Sequence, residues 1–423
     1  MILKKVVFTS FLIFAFSFNA QNQNIEYTRQ IVDTLTSSFF SGRGAVDDGE
    51  QKAAQFIAKE FKKMGLQPFT DDYLQTFQYS INSFPGVIKV EVGEKQLVLG
   101  KDFLVDPKSA KTYGHFDIIW YNPKNLPNKK QLKKLVNQRF FENKFIVFDD
   151  LNSDEKTEEW NSISSNAVGA AGLIFLENEK LTHRISTTVS DYVILKVMRN
   201  EFPKDAKTIR IEIEQEFLPN YTSQNVIGKI KGVEHPDSII IISAHYDHLG
   251  KMGKDVFFPG ANDNASGIAM MLNLAYHYTH KEPPKKTMVF MAFGAEESGL
   301  LGSKYFTEHP LFPLEHINFM INVDIMGTGD EGIQVVNGSV FKNHFDKLVK
   351  INEEEQLLKQ IKIRGKAANS DHYWFSEKGV PAFFIYTLGG ITAYHDIYDV
   401  SKTLPLTEFE DCYRLIKNFV DDL

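Results

Sequence analysis

The chain has 423 residues, of which 43% are hydrophobic and 13% aromatic, and its formal net charge is −7. This length is sufficient for two domains, and the apolar content is sufficient to bury a substantial core. An acidic balance argues against a nucleic-acid partner. Cys412 is the only cysteine in the sequence, so an intramolecular disulfide is excluded.

The first twenty residues have the pattern of an export signal. Lys4 and Lys5 precede an apolar stretch from Val6 to Phe18, and small or polar residues follow near Ala20. This arrangement predicts a signal peptide over residues 1–20. The apolar stretch is short for a membrane span, although an uncleaved anchor is the alternative. We therefore expect an exported protein, periplasmic or secreted, with no stable membrane span after cleavage.

Two segments precede the most informative part of the chain. Residues 21–83 are predicted to be the N-terminal part of a catalytic domain, with two helices over residues 27–66, the second of which ends at Gly65. Residues 84–217 contain short β-rich runs such as Val87–Val92. These runs predict an inserted β-rich α+β domain, and no cluster of candidate ligands occurs in it.

Residues 218–423 are predicted to hold the catalytic site. Alternating residues at 224–232 predict an edge hairpin that leads into the next strand. That strand contains the apolar run Ile239–Ile242 and breaks into His245-Tyr246-Asp247-His248. An apolar run of this kind predicts a buried strand, and open α/β folds place their sites at the carboxyl ends of such strands. The fold class is therefore predicted to be α/β.

The same pattern, an apolar strand followed by a polar stop, occurs three more times. Apolar residues 288–293 precede Glu296 and Glu297, residues 319–323 precede Asp324, and residues 381–387 precede His395. A polar turn that opens a helix adds Asp263. Five candidate ligands therefore gather at one edge of the predicted sheet: His245, Asp263, Glu297, Asp324 and His395.

Two divalent ions explain this set better than one ion does. Two imidazoles and three carboxylates are more than a tetrahedral zinc with an open position needs. Shared between two ions roughly 3.5–4 Å apart, with one bridging carboxylate, they leave room for a bridging water. Glu296, next to a ligand, is then suited to take a proton from that water. Asp247 is placed to accept the second N–H of the His245 ring and so to fix its tautomer.

Each candidate also has a structural explanation when it is considered alone. A single histidine such as His245 is more often hydrogen-bonded than metal-bound, and Glu296-Glu297 could be an acidic first helical turn. Asp263 could cap the following helix, although Asn264 and Ser266 could do so in its place. It is the joint pattern that favours a metal centre.

The same residues form motifs that can be compared with a known family. They are His245-Tyr246-Asp247, Gly260-Ala261-Asn262-Asp263, Ala295-Glu296-Glu297-Ser298-Gly299-Leu300-Leu301-Gly302-Ser303, Asn322-Val323-Asp324 and Tyr394-His395. In this order they resemble the co-catalytic zinc aminopeptidase family, which is related to bacterial leucyl aminopeptidases and to glutamate carboxypeptidase. The resemblance covers residues 220–423 strongly and 27–80 more loosely, through Ser41-Gly42-Arg43. It implies a mixed, largely parallel sheet flanked by helices, and two Zn²⁺ ions per chain.

The resemblance also implies a role for each ligand. Asp263 would bridge the two zinc ions, His245 and Asp324 would complete the ligands of one, and Glu297 and His395 would complete those of the other. Two further residues, the general base and the support of the first histidine, would be Glu296 and Asp247.

Several positions keep two interpretations. His248 resembles a family position that is not a ligand, and either a supporting or a purely structural role is open. Ser370-Asp371-His372 resembles a segment near the substrate pocket but also reads as a helix start. After His395 the chain has Asp396-Ile397, where relatives often have Thr-Pro. The segment 167–175 resembles a protease-associated domain, which implies either a gating role or a structural insertion.

These observations predict an exported metallo-exopeptidase that acts on peptides. The most favoured activity is an aminopeptidase that releases N-terminal residues with a metal-bridging water. The alternatives are a glutamate carboxypeptidase-like enzyme or dipeptidase, a glutaminyl cyclase and a non-enzymatic receptor-like protein.

Overall fold

The computed structural model describes residues 25–149, 157–281 and 283–423. The predicted signal peptide, residues 1–20, lies outside these ranges. Within them, no helix has both the length and the apolar character needed to cross a bilayer. The described residues form a nine-stranded sheet and an eight-stranded sheet with flanking helices, so the predicted mixed α/β fold is confirmed.

The strands are numbered in chain order. They are β1 (Gln67–Pro68), β2 (Leu74–Ser83), β3 (Ile88–Val92), β4 (Lys95–Gln96), β5 (Phe103–Val105), β6 (Thr112–Tyr121), β7 (Lys144–Phe148), β8 (Gly172–Glu177), β9 (Val193–Met198), β10 (Thr208–Ile213), β11 (Glu216–Ile230), β12 (His235–His245), β13 (Lys251–Met252), β14 (Val256–Phe257), β15 (Lys286–Phe293), β16 (Ile317–Asp324), β17 (Ile333–Val336), β18 (Ile361–Ile363) and β19 (Ala382–Thr387).

The helices are numbered in the same way. They are α1 (25–35), α2 (Gly49–Met64), α3 (Lys129–Asn137), α4 (Glu158–Ser164), α5 (Ser266–His280), α6 (Leu301–Glu308), α7 (Lys342–Glu355), α8 (His372–Glu377) and α9 (Phe409–Asp422). The first two lie where the sequence predicted two helices, and α2 ends at Gly65, whose φ of 82° forms a left-handed cap.

The main sheet has the order β1-β11-β15-β12-β16-β19-β17-β18, with β2 paired to β11. Its central strands β15, β12, β16 and β19 run parallel. Ile240 and Ile242 pack into the core on one face of this sheet, while Ile239 and Ile241 pack into the core on the other. The run of four isoleucines is therefore apolar because neither face of β12 meets solvent.

The predicted edge hairpin at residues 224–232 is wrong. β11 and β12 do not pair, because β15 lies between them, antiparallel to β11 and parallel to β12. Residues 287–293 of β15 are buried, so this strand needs a partner on each side and takes the place that a hairpin would occupy. Pairing with a strand distant in sequence is not visible in local alternation.

Helices cover both faces of the main sheet. Phe61 of α2, Leu274 of α5 and Phe419 of α9 share the core on one face. Phe306 of α6 and Phe375 of α8 share the core on the other. Because helices cover both faces of the main sheet, a site can form at the loops that follow the carboxyl ends of the parallel strands.

The second sheet has the order β4-β3-β10-β6-β7-β8-β9-β5, and its strands all lie between residues 88 and 213. Its core also contains Leu249, Met252 and Phe258, which lie between β12 and α5 of the main part. The two sheets therefore share one packed boundary. The limits 84–217 for an inserted domain, between parts at 21–83 and 218–423, stay a prediction.

Candidate metal centre

Strand ends and loops bring the predicted ligands to one edge of the main sheet. His245 is the last residue of β12 and Asp324 is the last residue of β16. Glu297 follows β15, His395 follows β19, and Asp263 lies in an irregular turn before α5. Because β12, β15, β16 and β19 are parallel, their carboxyl ends meet at the same edge.

The five side chains approach one another closely. His245 Nε2 lies 3.2 Å from Asp324 Oδ2 and 3.4 Å from Asp263 Oδ1. His395 Nε2 lies 3.1 Å from Asp263 Oδ2 and 3.3 Å from Glu297 Oε2. The carboxylate of Asp263 therefore lies between the two imidazoles, with one oxygen towards each.

Donor atoms in the cluster lie close enough together to hold metal ions. Two groups, each with its donor atoms within 4.8 Å of one another, could each hold an ion: His245, Glu296 and Asp324, and His248, Asp263 and Glu297. Asp324 Oδ1 is buried and has no hydrogen-bond partner among the described residues. A buried carboxylate oxygen without a partner is costly unless a cation or a donor satisfies it.

The electrostatics of the cluster also favour cations. Burial alone would lower the pKa of His245, but the surrounding carboxylates, Asp324 foremost, raise it well above its usual value. Burial would also lower the pKa of His395, but Glu297 and Asp263 raise it to about 10. The cluster thus attracts positive charge, and imidazole and carboxylate are donors that zinc accepts. The residues present fit a pair of divalent ions.

Asp263 is free of the capping role that it could have had. Asn264 Oδ1 accepts the hydrogen bond from Gly267 N, at 2.9 Å, in the first turn of α5. The Asp263 carboxylate is therefore available to the two histidines.

Glu296 borders the same cavity as the candidate ligands. Burial raises the pKa of its carboxyl well above the usual value, and the nearby Asp371 and Glu297 raise it further, against the opposing effect of His245. A raised pKa makes this carboxylate a stronger proton acceptor than an ordinary glutamate, as suits a general base.

Asp247 supports the site differently from the prediction. His245 Nδ1 lies 3.1 Å from the backbone oxygen of Asp247 and 3.8 Å from its carboxylate. The carboxylate instead accepts hydrogen bonds from the backbone N–H groups of Glu296, at 3.0 Å, and Glu297, at 3.1 Å. The ring is thus oriented by a main-chain carbonyl, and the Asp247 side chain holds the turn that carries the two glutamates.

Sequence reasoning left His248 open, and the structure places it against a candidate ligand. Its Nδ1 lies 2.8 Å from Glu297 Oε1, and its side chain is buried. Asp371, also left open, is buried close enough to Glu296 for their charges to interact. Burial raises the pKa of Asp371 to about 7. Neither role could be read from the motif, because each depends on a contact between distant loops.

A cavity of about 240 Å³ opens onto this cluster. Besides the candidate ligands and Glu296, its lining is formed by Ile325, Asn369, Phe384, Tyr386 and Tyr394. One wall of the cavity is therefore formed by the carboxylates and imidazoles that could bind metal ions, and another wall is apolar and aromatic.

Comparison with known proteins agrees with this geometry. The model of Peptidase family M28 matches residues 225–420. This part of the chain is similar to peptidase family M28. Aminopeptidase YwaD of Bacillus subtilis (strain 168) is 30% identical over 234 residues, which cover 51% of this chain and 48% of that protein. The chain thus matches about half the length of this curated relative.

Solved structures share the fold along nearly the whole chain. BSAP, a zinc aminopeptidase from Bacillus subtilis, has a TM-score of 0.70 at 20% identity, covering 94% of each chain. A Peptidase M28 precursor from Shewanella amazonensis SB2B has a TM-score of 0.65 at 17% identity, covering 94% of this chain and 96% of its own. At such identities the similarity establishes the fold, including the part that contains the second sheet.

Arg43 lies outside residues 225–420, the range of the family match, but it supports the candidate metal centre. Its buried guanidinium donates to the carbonyl oxygens of Tyr246 at 2.7 Å, Pro259 at 2.6 Å and Gly260 at 2.8 Å. Weaker bonds reach the carbonyl oxygens of two further residues, Leu35 and Asp263. Arg43 thus joins the loop after β12 to the turn that carries Asp263. Sequence reasoning included Arg43 only in the looser resemblance of residues 27–80 and missed this role.

Asp399 is a second supporting residue that sequence reasoning missed. Its carboxylate accepts hydrogen bonds from the backbone N–H groups of Asn262, at 2.8 Å, and Asp263, at 3.0 Å. The candidate ligand Asp263 is therefore held by backbone contacts on two sides.

Proposed function

We propose that this protein is a zinc-dependent exopeptidase that releases N-terminal residues from peptides. The observation that carries the proposal is the convergence of two imidazoles and three carboxylates on one cavity, with Glu296 beside them. The family match to residues 225–420 supports a peptidase. Two similar proteins, Aminopeptidase YwaD and the zinc aminopeptidase BSAP, support action at the amino end.

In this proposal two Zn²⁺ ions are shared by the five converging residues. His245 and Asp324 would hold one ion, Glu297 and His395 the other, and Asp263 would contribute to both. When bound, zinc supplies a Lewis acid that polarises the scissile carbonyl and lowers the pKa of a water molecule.

Glu296 is proposed as the general base. Its carboxyl borders the cavity, and burial raises its pKa. It can therefore take the proton that the attacking water loses and donate it to the leaving amine. Asp247 is proposed to keep this carboxyl in place, since its own carboxylate accepts the backbone N–H of Glu296.

The apolar wall of the cavity is proposed to hold the side chain of the released residue. Phe384 and Tyr386 come from β19, and Tyr394 stacks on the ring of His395 with 3.9 Å between centroids. A cavity of about 240 Å³ accommodates a single apolar side chain better than an extended peptide.

Export is proposed as well, with residues 1–20 as a cleaved signal peptide and a periplasmic or secreted location. Its support is the charge and hydropathy pattern of those residues.

The test combines metal analysis with paired substrates. Purified protein is expected to retain two zinc ions per chain and to hydrolyse peptides with a free N-terminus. The same peptides with an acetylated N-terminus should not be cleaved. Cleavage of blocked peptides from the carboxyl end would indicate a carboxypeptidase, and pyroglutamate formation from an N-terminal glutamine would indicate a cyclase. Protein that binds no zinc would overturn the proposal in favour of a receptor-like role.

A further inference from the structure

The connection between β8 and β9, in the second sheet, reaches across to the loop that carries His395. Within it, residues 180–183 form what we call the 180–183 segment, and residues 391–398 form what we call the His395 loop. Lys180 Nζ donates to the backbone oxygens of Thr392 and Tyr394, at 3.0 Å each, and to Asp396 Oδ2 at 3.1 Å. An ammonium group has three hydrogens, so one lysine satisfies three acceptors of this loop.

A main-chain contact reinforces the lysine. His183 N donates to the backbone oxygen of His395 at 2.8 Å. The His183 ring is buried and stacks on Phe258 with 4.8 Å between centroids, so the donor is anchored in the boundary between the sheets. The candidate ligand is therefore hydrogen-bonded, through its own carbonyl, to the region of the second sheet.

The residues after His395 are bound to the same region. Ile397 packs against the core of the second sheet. Asp396 is largely buried, and its Oδ1 accepts the backbone N–H of Tyr398 at 2.9 Å while its Oδ2 pairs with Lys180. Asp396 thus closes the loop internally and links it to the 180–183 segment.

The His395 loop needs such support because its backbone is not held by a strand or helix. His395 has φ of 54°, in the left-handed region, a strained conformation that a non-glycine residue keeps only when its surroundings impose it. Its ring must nevertheless point at Asp263 and Glu297. The contacts that impose this conformation come largely from the 180–183 segment.

We propose that Lys180, paired with Asp396, is a positioning residue for His395, and that the region of the second sheet thereby sets the affinity of the ion on the His395 side. The proposal rests on the proposed function, since it assumes that His395 binds zinc. It gives the second sheet a defined task, to preorganise one metal ligand, in addition to any lid or gating role.

The experiment measures the affinity of each ion separately. Zinc-free Lys180→Met, Lys180→Arg and wild-type protein are titrated with zinc in competition with a chromophoric chelator, and the visible spectrum is followed with Co²⁺ as a probe. Lys180→Met is expected to lower the affinity for one of the two ions about 10–100-fold, the range for residues that orient a metal ligand. The other ion should keep its affinity. Lys180→Arg keeps the charge and the donors and should restore most of the loss.

Two further variants separate positioning from general destabilisation. Lys204→Met removes an exposed lysine of the same region and should change neither affinity. Asp396→Asn removes the charge that pairs with Lys180 but keeps the backbone acceptors, and it is the second variant to use if Lys180→Met does not fold. It should lower the affinity for the same ion by a smaller factor, and combining the two substitutions should add little to the effect of Lys180→Met alone.

The outcomes distinguish this inference from the function on which it rests. Wild-type protein that binds two ions, with Lys180→Met and Asp396→Asn binding both as tightly, overturns the inference and leaves the peptidase proposal intact. An equal loss of affinity for both ions in all Lys180 variants, including Lys180→Arg, also overturns the inference. Wild-type protein that binds no zinc overturns the proposed function first.

Discussion

The two sides of the candidate metal centre are built in different ways. His245 and Asp324 are the last residues of adjacent parallel strands, β12 and β16, so the register of a buried sheet places them together. Asp263 and His395 lie on loops, and their positions depend on side chains from distant parts of the chain. A ligand at a strand end needs little support beyond the sheet, whereas a ligand on a loop needs dedicated hydrogen-bond donors and acceptors.

The loop-side ligands are supported by residues that are distant from them in sequence. Arg43 precedes the matched family region and donates to five carbonyls, Asp399 accepts two backbone N–H groups, and Lys180 lies in the connection between β8 and β9 of the second sheet. The difference teaches that a metal centre can be split into a part fixed by sheet register and a part fixed by long-range contacts. Four predictions test this division.

The largest effect is expected from Glu296→Gln, which changes the chemistry and leaves both sides of the metal centre intact. Loss of a general base typically lowers the rate about 10²–10⁴-fold. We expect kcat to fall by that factor while zinc content stays at two per chain. The matched control is Glu94→Gln, at an exposed turn. Unchanged kcat in Glu296→Gln would remove Glu296 from the role of base.

The next largest effect is expected from Arg43→Met, which removes hydrogen bonds that support the loop side of the metal centre. Removing the guanidinium leaves several buried carbonyls without donors, at about 1–3 kcal/mol for each group that stays unsatisfied. We expect the free energy of unfolding to fall by at least about 3 kcal/mol in denaturant titrations. Arg210→Met, at an exposed position of β10, should change it by less than about 0.5 kcal/mol. A similar loss in both variants would contradict the support assigned to Arg43.

Removal of zinc should separate the two sides directly. A ligand at 100 times its dissociation constant stabilises a protein by about 2.7 kcal/mol, so chelation should lower the unfolding free energy by about that amount for each ion. Amide hydrogen exchange should then accelerate in residues 259–264 and 391–398, whereas Ile239–Ile242 should stay protected within the sheet. Equal acceleration in the loops and in β12 would contradict the division into two sides.

A pH-dependent effect on stability is expected at Glu50, which lies behind the turn after β15. Burial raises the pKa of Glu50 to about 8, and the nearby Asp247 raises it further, while its carboxyl accepts a hydrogen bond from Ser223 Oγ at 2.5 Å. The folded protein therefore holds a proton that the unfolded chain releases above about pH 4.5. The contribution of Glu50 to stability should therefore decrease as pH rises from about 4.5 to 8, by up to about 1.4 kcal/mol per pH unit.

Comparison of wild type with Glu50→Gln isolates this contribution. The variant lacks the titrating group, so its stability relative to wild type should increase across the same pH range, as measured by denaturant unfolding at pH 5 and pH 8. Glu94→Gln again serves as the control, with no pH-dependent difference expected. Parallel pH profiles of wild type and Glu50→Gln would show that Glu50 does not titrate in this range.

The fold was largely predictable because the apolar runs are long and unambiguous. The stretch Ile239–Ile242 has no polar face, so it indicated a strand covered on both sides, and α2 with its Gly65 cap followed from helical spacing and a terminal glycine. The hairpin at residues 224–232 failed because β15, distant in sequence, takes the place between β11 and β12. Local alternation identifies a strand but not its neighbour.

The sequence by itself determined which side chains end the central strands, because an apolar run and its polar stop are properties of neighbouring residues. It therefore indicated the candidate ligands and Glu296 without any knowledge of their contacts. Only the tertiary structure decided how these residues are held: Asp247 on the backbone of residues 296 and 297, Arg43 beneath the turn of Asp263, and Lys180 against the His395 loop. Such contacts join residues up to 220 positions apart, and their geometry depends on the packing of the whole chain.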